Sequence, residues 1–307
     1  ITMVTPEGKV IQARGEIHGE LLRAPVGENG FGYDPIFYYP PMGMSTAEMS
    51  PEDKNQVSHR ANALKVFYDK MRKGALYKTS SINVEEAYKF FEKLLVEAKP
   101  IVHISLGSAI SATYNNCVIA ANLLKEKYPE SEIYVIDSTV ASAAYAILVI
   151  KATEFRSEDF TAKETTERID LIKYSVNTFY TTNTLTYLAR GGRVSKGTSI
   201  FGNILSIKPI LRLDKKGHLV IYKKAHGMNN AIQQISNYIG ETVINPQNQT
   251  LYVTHGDCLE NAVKYAEMIK EKYHFKDIHY SYIGSIIGSH AGPGLVAFFF
   301  MGKDRTE

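Results

Sequence analysis

The pattern of apolar and polar positions changes near residue 67. The first 66 residues are rich in turns, and they predict a strand over residues 16–22 and a helix over residues 50–68 that Ser50 can cap. From Phe67 onward, apolar stripes of helical period alternate with short apolar runs. Helices and strands are therefore expected to alternate through the rest of the chain.

The middle of the chain predicts a parallel sheet. Residues 101–106 form one short apolar run, residues 132–136 form the next, and a helix is predicted between them. A strand–helix–strand unit of this kind gives parallel strands. Because ligands bind beyond the carboxyl ends of such strands, the loop at 107–111 and the pair Asp137–Ser138 are candidate site segments.

The last part of the chain predicts a second unit of helices and strands. Residues 161–180 predict a helix, and residues 207–213 and 218–223 predict a hairpin. Further helices and strands follow, up to an apolar strand at 295–301. We place the boundary between the two units at residues 160–161, within a polar run.

Composition and charge remove several classes of function. The 307 residues are 44% hydrophobic and 22% charged, as in a globular protein with room for two domains. Since 35 Lys and Arg face 32 Asp and Glu, the net charge of +3 gives no reason to expect nucleic-acid binding. Cys117 and Cys258 lie in no zinc-binding spacing. No stretch has the pattern of a membrane span or a secretory signal, so we expect a cytoplasmic protein.

Three polar groups are candidate anion ligands. Hydroxyls at Thr79–Ser81 and at Ser108 to Thr113 include a set on a predicted strand-to-helix turn, where free N–H groups attract anions, although capping alone explains any single serine. His290 lies in a glycine-rich segment, where it could donate a hydrogen bond to a carboxylate, act as an acid or base, or simply be a surface turn residue. Arg193 can bind a carboxylate or a phosphate as a fork.

The glycine-rich segment near the start of the chain suggests a different ligand. An aromatic ring, a carboxylate, a lysine and a His–Arg pair could hold a purine and its phosphates, although a polar helix face also explains the last pair. The residues are Phe31, Tyr33, Asp34, Lys54, Ser58, His59 and Arg60. No phosphate-binding loop, dinucleotide fingerprint, zinc-protease motif or nucleophile elbow is present, and no catalytic triad can be assigned from the spacing.

Several ordered segments resemble the DegV family of bacterial fatty-acid-binding proteins. They are residues 67–71, 79–83, 105–115, 135–138, 187–195, 207–211 and 287–294. The resemblance implies an α/β fold with a parallel-sheet lobe (67–160) and a second α/β lobe (161–307), which together clamp one long-chain fatty acid.

The same resemblance implies a site and a partner. The carboxylate ligands it implies are Thr79, Ser80, Ser111 and His290, with Arg193 a weaker candidate. It assigns no cofactor, no metal and no catalytic residue, and it implies a separate kinase that phosphorylates the bound carboxylate. The chain departs from the family at Ala112, where glycine is usual, and it lacks the opening strands of the first lobe.

Residues 1–66 resemble the carboxyl-terminal end of the inosine-triphosphate pyrophosphatase family, and they form a small α+β piece. The matching segments are 30–37, 46–48, 54–55 and 58–61. The resemblance implies that Phe31, Tyr33, Asp34, Lys54, His59 and Arg60 surround the base and phosphates. The amino-terminal half, which supplies the phosphate loop and the acidic residues for Mg²⁺, is missing. The alternative function is therefore purine nucleotide hydrolysis if that half is supplied; a chance joining of two unrelated sequences is the third interpretation.

Overall fold

A computed structural model describes residues 1–4, 10–95, 99–194 and 207–306. The strands are β1 (Thr2–Val4), β2 (Val10–Gln12), β3 (Glu20–Leu21), β4 (Phe37–Tyr39), β5 (Met44–Ser45), β6 (Ile101–Ser105), β7 (Ile133–Asp137), β8 (Val176–Thr181), β9 (Ile207–Leu213), β10 (Leu219–His226), β11 (Thr250–His255), β12 (Asp277–Tyr282) and β13 (Val296–Met301). The helices are α1 (Pro51–Val57), α2 (His59–Arg72), α3 (Val84–Leu95), α4 (Thr113–Lys127), α5 (Ala143–Ser157), α6 (Ala162–Ile172), α7 (Thr186–Arg190), α8 (Met228–Thr242), α9 (Leu259–Tyr273) and α10 (Ser285–Ala291). The α/β class is confirmed.

The first lobe is built on the predicted parallel pair. Strands β6 and β7 run parallel with Ile101 opposite Ile133, and α4 is the crossover helix between them. Successive side chains of a strand point to opposite faces. Ile101 and Ile133 accordingly pack with α3 and α4, whereas Ile104 and Ile136 pack toward the second lobe.

The second lobe is a mixed six-stranded sheet with the order β10-β9-β8-β13-β11-β12. Strands β11 and β12 are parallel, and the other neighbours are antiparallel. Helices α8 and α9 cover one face through residues such as Ile235 and Ile269. The opposite face meets α5 of the first lobe, where Leu148 and Phe299 share one apolar core.

The N-terminal segment packs against the second lobe. Helix α1 lies on β12, and Asn55 Nδ2 donates a hydrogen bond of 3.0 Å to Tyr280 O. Helix α2 runs without a break through residues 66–67. Its Tyr68 is buried, and the Tyr68 hydroxyl donates to Ile283 O at 2.9 Å. The segment therefore shares a core with the lobe that follows it.

Three predicted elements differ from the structure. The helix predicted over residues 50–68 is two helices, because Ser58 is extended and caps α2 by accepting from Ala61 N. The helix predicted over 161–180 ends at Ile172, and strand β8 follows it. The strand was not recognised because nearly all of its side chains are buried in the central sheet, so it lacks the alternation of apolar and polar residues. In the predicted strand 16–22 only β3 pairs. The domain boundaries stay a prediction.

A buried histidine ends strand β11. His255 is 2% exposed, its Nδ1 accepts from Cys258 N at 3.3 Å, and its ring centroid is 4.5 Å from that of Tyr282. Burial lowers the pKa of His255 to about 4, although the nearby Asp257 carboxylate opposes the shift. The imidazole is therefore neutral at physiological pH.

We expect the free energy of unfolding to fall as the pH is lowered from about 6.5 to about 4. The unfolded chain protonates His255 near pH 6.5, whereas the folded chain does not until about pH 4. The loss from this residue is about 3 kcal/mol. His255→Gln keeps an acceptor for Cys258 N but does not titrate, so its stability should depend less on pH. Urea unfolding at several pH values tests this, and a wild-type slope in the variant would contradict it.

Candidate functional site

A cavity of about 630 Å³ lies between the two lobes. Its walls are mostly apolar and come from both lobes. They include Ile82, Ile104, Leu106 and Ile110 from the first lobe and Tyr180, Leu188, Leu213, Leu219, Ile283, Ile287, Leu295 and Phe299 from the second. All five residues that the sequence predicts as carboxylate ligands, namely Thr79, Ser80, Ser111, Arg193 and His290, also line it. An apolar cavity of this volume with a few polar groups is typical of small-molecule sites.

The closest pair among these polar groups joins residues 211 positions apart in the chain. Thr79 Oγ1 and His290 Nε2 are 2.7 Å apart, within hydrogen-bond distance. His290 lies in α10, the short helix that follows β12. Thr79 lies in the segment between α2 and α3. The fold therefore brings two of the predicted ligands into direct contact.

The second ring nitrogen of His290 has no partner in the part of the chain that the structure describes. His290 Nδ1 is buried and makes no hydrogen bond there. Burial lowers the pKa of His290, and the nearby Arg193 charge lowers it further. A neutral imidazole carries one N–H, so one of the two ring nitrogens donates and the other accepts.

Gly191 determines how closely the backbone approaches this imidazole. A Cβ atom at Gly191 would stand 2.2 Å from His290 Nδ1, which is too close for any side chain. Gly191 therefore has a steric reason to be glycine, whereas Gly192, with a φ of +68°, is the left-handed residue that ends α7. Any larger residue at position 191 would displace His290.

Arg193 touches both lobes at the cavity. Its Nε donates to Ile110 O at 3.3 Å, in the loop after β6, and its guanidinium also donates to Gly191 O. The structure thus places Arg193 as a bridge across the cavity wall, with part of its donor set already used by backbone carbonyls. Ser195, which ends the sequence segment at 187–195, lies outside the described residues.

Ser111 lies at the start of helix α4, as predicted. Ser111 Oγ accepts from Thr113 N at 3.2 Å and is 2.9 Å from Thr113 Oγ1. A local turn contact therefore accounts for part of its hydrogen bonding, while Ser111 still lines the cavity. Ser80 is exposed at the cavity mouth.

Sequence reasoning missed several polar residues of the cavity. His103 lies inside the apolar run of β6, and its Nε2 is buried without a described partner. Burial lowers the pKa of His103, so its ring is neutral. A histidine within an otherwise apolar strand was the available signal. Thr178 and Tyr180 were missed because β8 was predicted as helix; burial raises the pKa of the Tyr180 hydroxyl.

The N-terminal candidates form a separate cluster. Lys54 Nζ and Asp34 Oδ2 are 2.5 Å apart, and Asp34 Oδ2 also accepts from Phe31 N at 2.6 Å. Lys54 Nζ and the Arg60 guanidinium lie 5.4 and 5.2 Å from the centre of the exposed Phe31 ring. These contacts lower the pKa of Asp34 against the opposing effect of burial.

The remaining N-terminal candidates are exposed or structural. Tyr33 is 80% exposed, His59 is exposed at the start of α2, and Ser58 caps that helix. Among the described residues, no three His, Cys, Asp or Glu side chains are grouped so that they could hold a metal ion. Likewise, none of the helices in the described ranges is long and apolar enough to cross a membrane.

Two family models match the chain. Residues 50–303 match the model described as "Uncharacterised protein, DegV family", and residues 1–70 match that of the Ham1 family. Both resemblances seen in the sequence are thereby confirmed. The two matches overlap over residues 50–70, which include α1 and most of α2.

Individual relatives agree with the longer match. A DegV domain-containing protein of Clostridium perfringens is 36% identical over 241 residues, covering 78% of this chain and 83% of the relative. The crystal structure of a fatty acid binding DegV family protein from Streptococcus agalactiae superposes with a TM-score of 0.66 at 25% identity, covering 79% of this chain and 84% of that one. The Streptococcus pneumoniae Fatty Acid Kinase (Fak) B3 protein, loaded with linoleic acid, shares the fold with a TM-score of 0.69 at 18% identity, covering 78% and 83%. By its sequence and its two-lobed fold, the chain belongs to the DegV family.

Proposed function

We propose that this chain binds one long-chain fatty acid in the cavity between its lobes. The proposal is carried by one observation. A mostly apolar cavity of about 630 Å³ has the hydroxyls of Thr79 and Ser111 and the imidazole of His290 on its wall. The acyl chain gains free energy by leaving water for the apolar walls. The carboxylate needs hydrogen-bond donors, and Thr79, Ser111 and the neutral His290 can supply them.

The polar part of the wall favours a negatively charged ligand. Arg193 places a guanidinium close enough to His290 to lower the pKa of that imidazole. A bound carboxylate would be attracted by the same charge. Ser80 adds a hydroxyl at the exposed mouth. These five residues are therefore our proposed carboxylate ligands.

We further propose that a partner kinase phosphorylates the bound carboxylate in the cytoplasm. The support is the shared fold with the protein named Fatty Acid Kinase (Fak) B3, together with the exposure of Ser80 and Ala112 at the mouth of the cavity. A carboxylate held beside exposed residues is accessible to another protein. The chain itself would then serve as a carrier rather than as a catalyst.

The first prediction concerns the ligand itself. Native mass spectrometry of the purified chain should show one bound fatty acid, and extraction should release it. Stripped protein should bind added oleate or palmitate at one molecule per chain. Protein that carries no fatty acid and binds neither acid would disprove the proposed function.

A second prediction tests one carboxylate ligand. Ser111→Ala should weaken oleate binding by about 1–2 kcal/mol, or about 5- to 30-fold in Kd, because one hydrogen bond to the carboxylate is lost. Ser157→Ala is the matched control, since its hydroxyl is exposed and bonds to Glu154 O within its own helix. Titration calorimetry of both variants measures the effect. An unchanged Kd for Ser111→Ala would remove this residue from the site.

Nucleotide binding on the N-terminal cluster is the second candidate function. The observation that favours it is the exposed Phe31 ring with Lys54 and Arg60 near it, which together offer an aromatic ring and two cations. The part of the resembling family that supplies the phosphate loop and the Mg²⁺ ligands is missing from this sequence. The alternative activity therefore requires that half.

The corresponding prediction is that the chain alone releases no pyrophosphate from inosine triphosphate in the presence of Mg²⁺. Phosphoryl transfer depends on stabilising charge at the phosphates, and the groups that would do so belong to the missing half. A coupled pyrophosphate assay at several nucleotide concentrations measures this. The alternative function would be correct if the wild-type chain released pyrophosphate faster than the protein-free control and Lys54→Ala abolished that activity.

A further inference from the structure

The end of the chain is tied to both lobes by one buried arginine. Arg305 is only 4% exposed. Its Nη1 donates to Asp214 O at 2.7 Å and to Thr139 O at 3.1 Å, and its Nη2 donates to Thr139 Oγ1 at 2.6 Å and to Lys173 O at 3.4 Å. Thr139 belongs to the loop between β7 and α5 of the first lobe. Asp214 belongs to the turn between β9 and β10 of the second lobe.

The tail around Arg305 is itself fixed by the backbone. Arg305 N donates to Tyr174 O at 2.9 Å, and Lys215 N donates to Thr306 O at 3.1 Å. The guanidinium therefore enters the interface from a held position. Burial lowers the pKa of Arg305 to about 10, and the Asp214 and Asp137 carboxylates oppose the shift, so the side chain stays charged at neutral pH.

The loop that Arg305 holds has an unfavourable backbone. Thr139 has a φ of +55° and Ser142 a φ of +59°, and the left-handed region is costly for a β-branched residue. Such a conformation persists where the surroundings impose it. Arg305 binds both the carbonyl and the hydroxyl oxygen of Thr139, which makes it one of the groups that impose it.

The same loop holds the Ser111 loop in place. Asp137 Oδ1 accepts from Thr139 N and from Ser108 N, each at 3.0 Å, and Asp137 Oδ2 accepts from Ser108 Oγ. Gly107 N donates to Val140 O at 2.9 Å. The loop at 107–111 is thus bonded to the loop at 138–142 at several points.

Both loops reach the cavity directly. Ile110 and Ser111 line it from the first loop, and Ala141 and Ser142 line it from the second. A continuous set of hydrogen bonds therefore runs from Arg305, through Thr139 and Asp137, to the wall of the proposed fatty-acid site.

We propose that Arg305 is a positioning residue of that site, a latch that holds the two cavity loops of the first lobe against the second lobe. The inference rests on the proposed function for the identity of the ligand. Without the guanidinium, Thr139 loses the donors to two of its oxygen atoms, and the loops can move away from the second lobe. The cavity wall then opens more often, so a bound acyl chain leaves faster.

The test compares ligand exchange in full-length variants. Arg305→Gln should release radiolabelled oleate to excess unlabelled oleate at least about 10-fold faster than wild type, since tighter and weaker complexes of one site differ mostly in their dissociation rates. Arg305→Lys, which keeps the charge and one donor group, should give an intermediate rate. Lys303→Gln is the control from the same tail, because its Nζ bonds to Glu241 O and not to either cavity loop. It should exchange at the wild-type rate.

A stability-matched variant separates positioning from general weakening. Ile269 lies in the core between α9 and the sheet, away from the cavity loops. Ile269→Val therefore lowers the stability of the fold without touching these loops. If Arg305→Gln exchanges oleate no faster than wild type, or no faster than Ile269→Val at an equal loss of Tm, the latch is disproved. If Arg305→Gln does not fold, the same comparison is made with Arg305→Lys.

Hydrogen–deuterium exchange without ligand distinguishes failure of the latch from failure of the proposed function. Arg305→Gln or Arg305→Lys should lose protection in residues 107–111 and 138–142, while α9 keeps its protection. Unchanged protection in both loops would overturn the latch whatever the chain binds. Another outcome is that the variants lose protection in both loops while the wild-type chain binds no oleate. That result would overturn the proposed function and leave the interlobe role of Arg305 standing.

Discussion

The structure depends on a central strand that is buried on both faces. In β13, Phe298 and Phe300 are fully buried and pack toward α8 and α9, whereas Ala297 and Phe299 point toward the first lobe. The second lobe and the interlobe core thus share one backbone. Because side chains alternate along a strand, a shift of β13 by one residue would exchange the two sets. The cavity wall formed by Ala297 and Phe299 is therefore fixed by the packing of the helices behind it.

The N-terminal segment supports another part of the same wall. The Tyr68 hydroxyl bonds to Ile283 O, and a Cβ at Gly288 would stand 2.5 Å from that hydroxyl oxygen. Ile283 lines the cavity, and Gly288 lies in α10 two residues before His290. Helix α2 is thus packed beneath the helix that carries the imidazole. The residues shared by the two family matches therefore lie in packed helices and not in a linker.

Local patterns predicted those elements whose signals are local. The hairpin of β9 and β10, the parallel pair β6 and β7, and the start of α1 capped by Ser50 all follow from turn, crossover and capping residues. Strand β8 was missed because burial on both faces removes the period of two. The pairing of Thr79 with His290 across the chain came from the resemblance, since no periodicity relates such distant residues. Arg305 gave no signal, because a basic residue near a chain end normally indicates a solvated tail.

The polar residues at the ends of the parallel strands have two different roles. The sequence rule placed Ser108, Ser111 and Asp137 together at a ligand edge. In the structure, three donors from Ser108 and Thr139 occupy the Asp137 carboxylate, so its charge is used to shape the loops. The carboxylate keeps its charge, but Asp137 is not among the described residues that line the cavity. Ser111 and Arg193 do line it, so the wall offers donors and positive charge to the proposed carboxylate ligand.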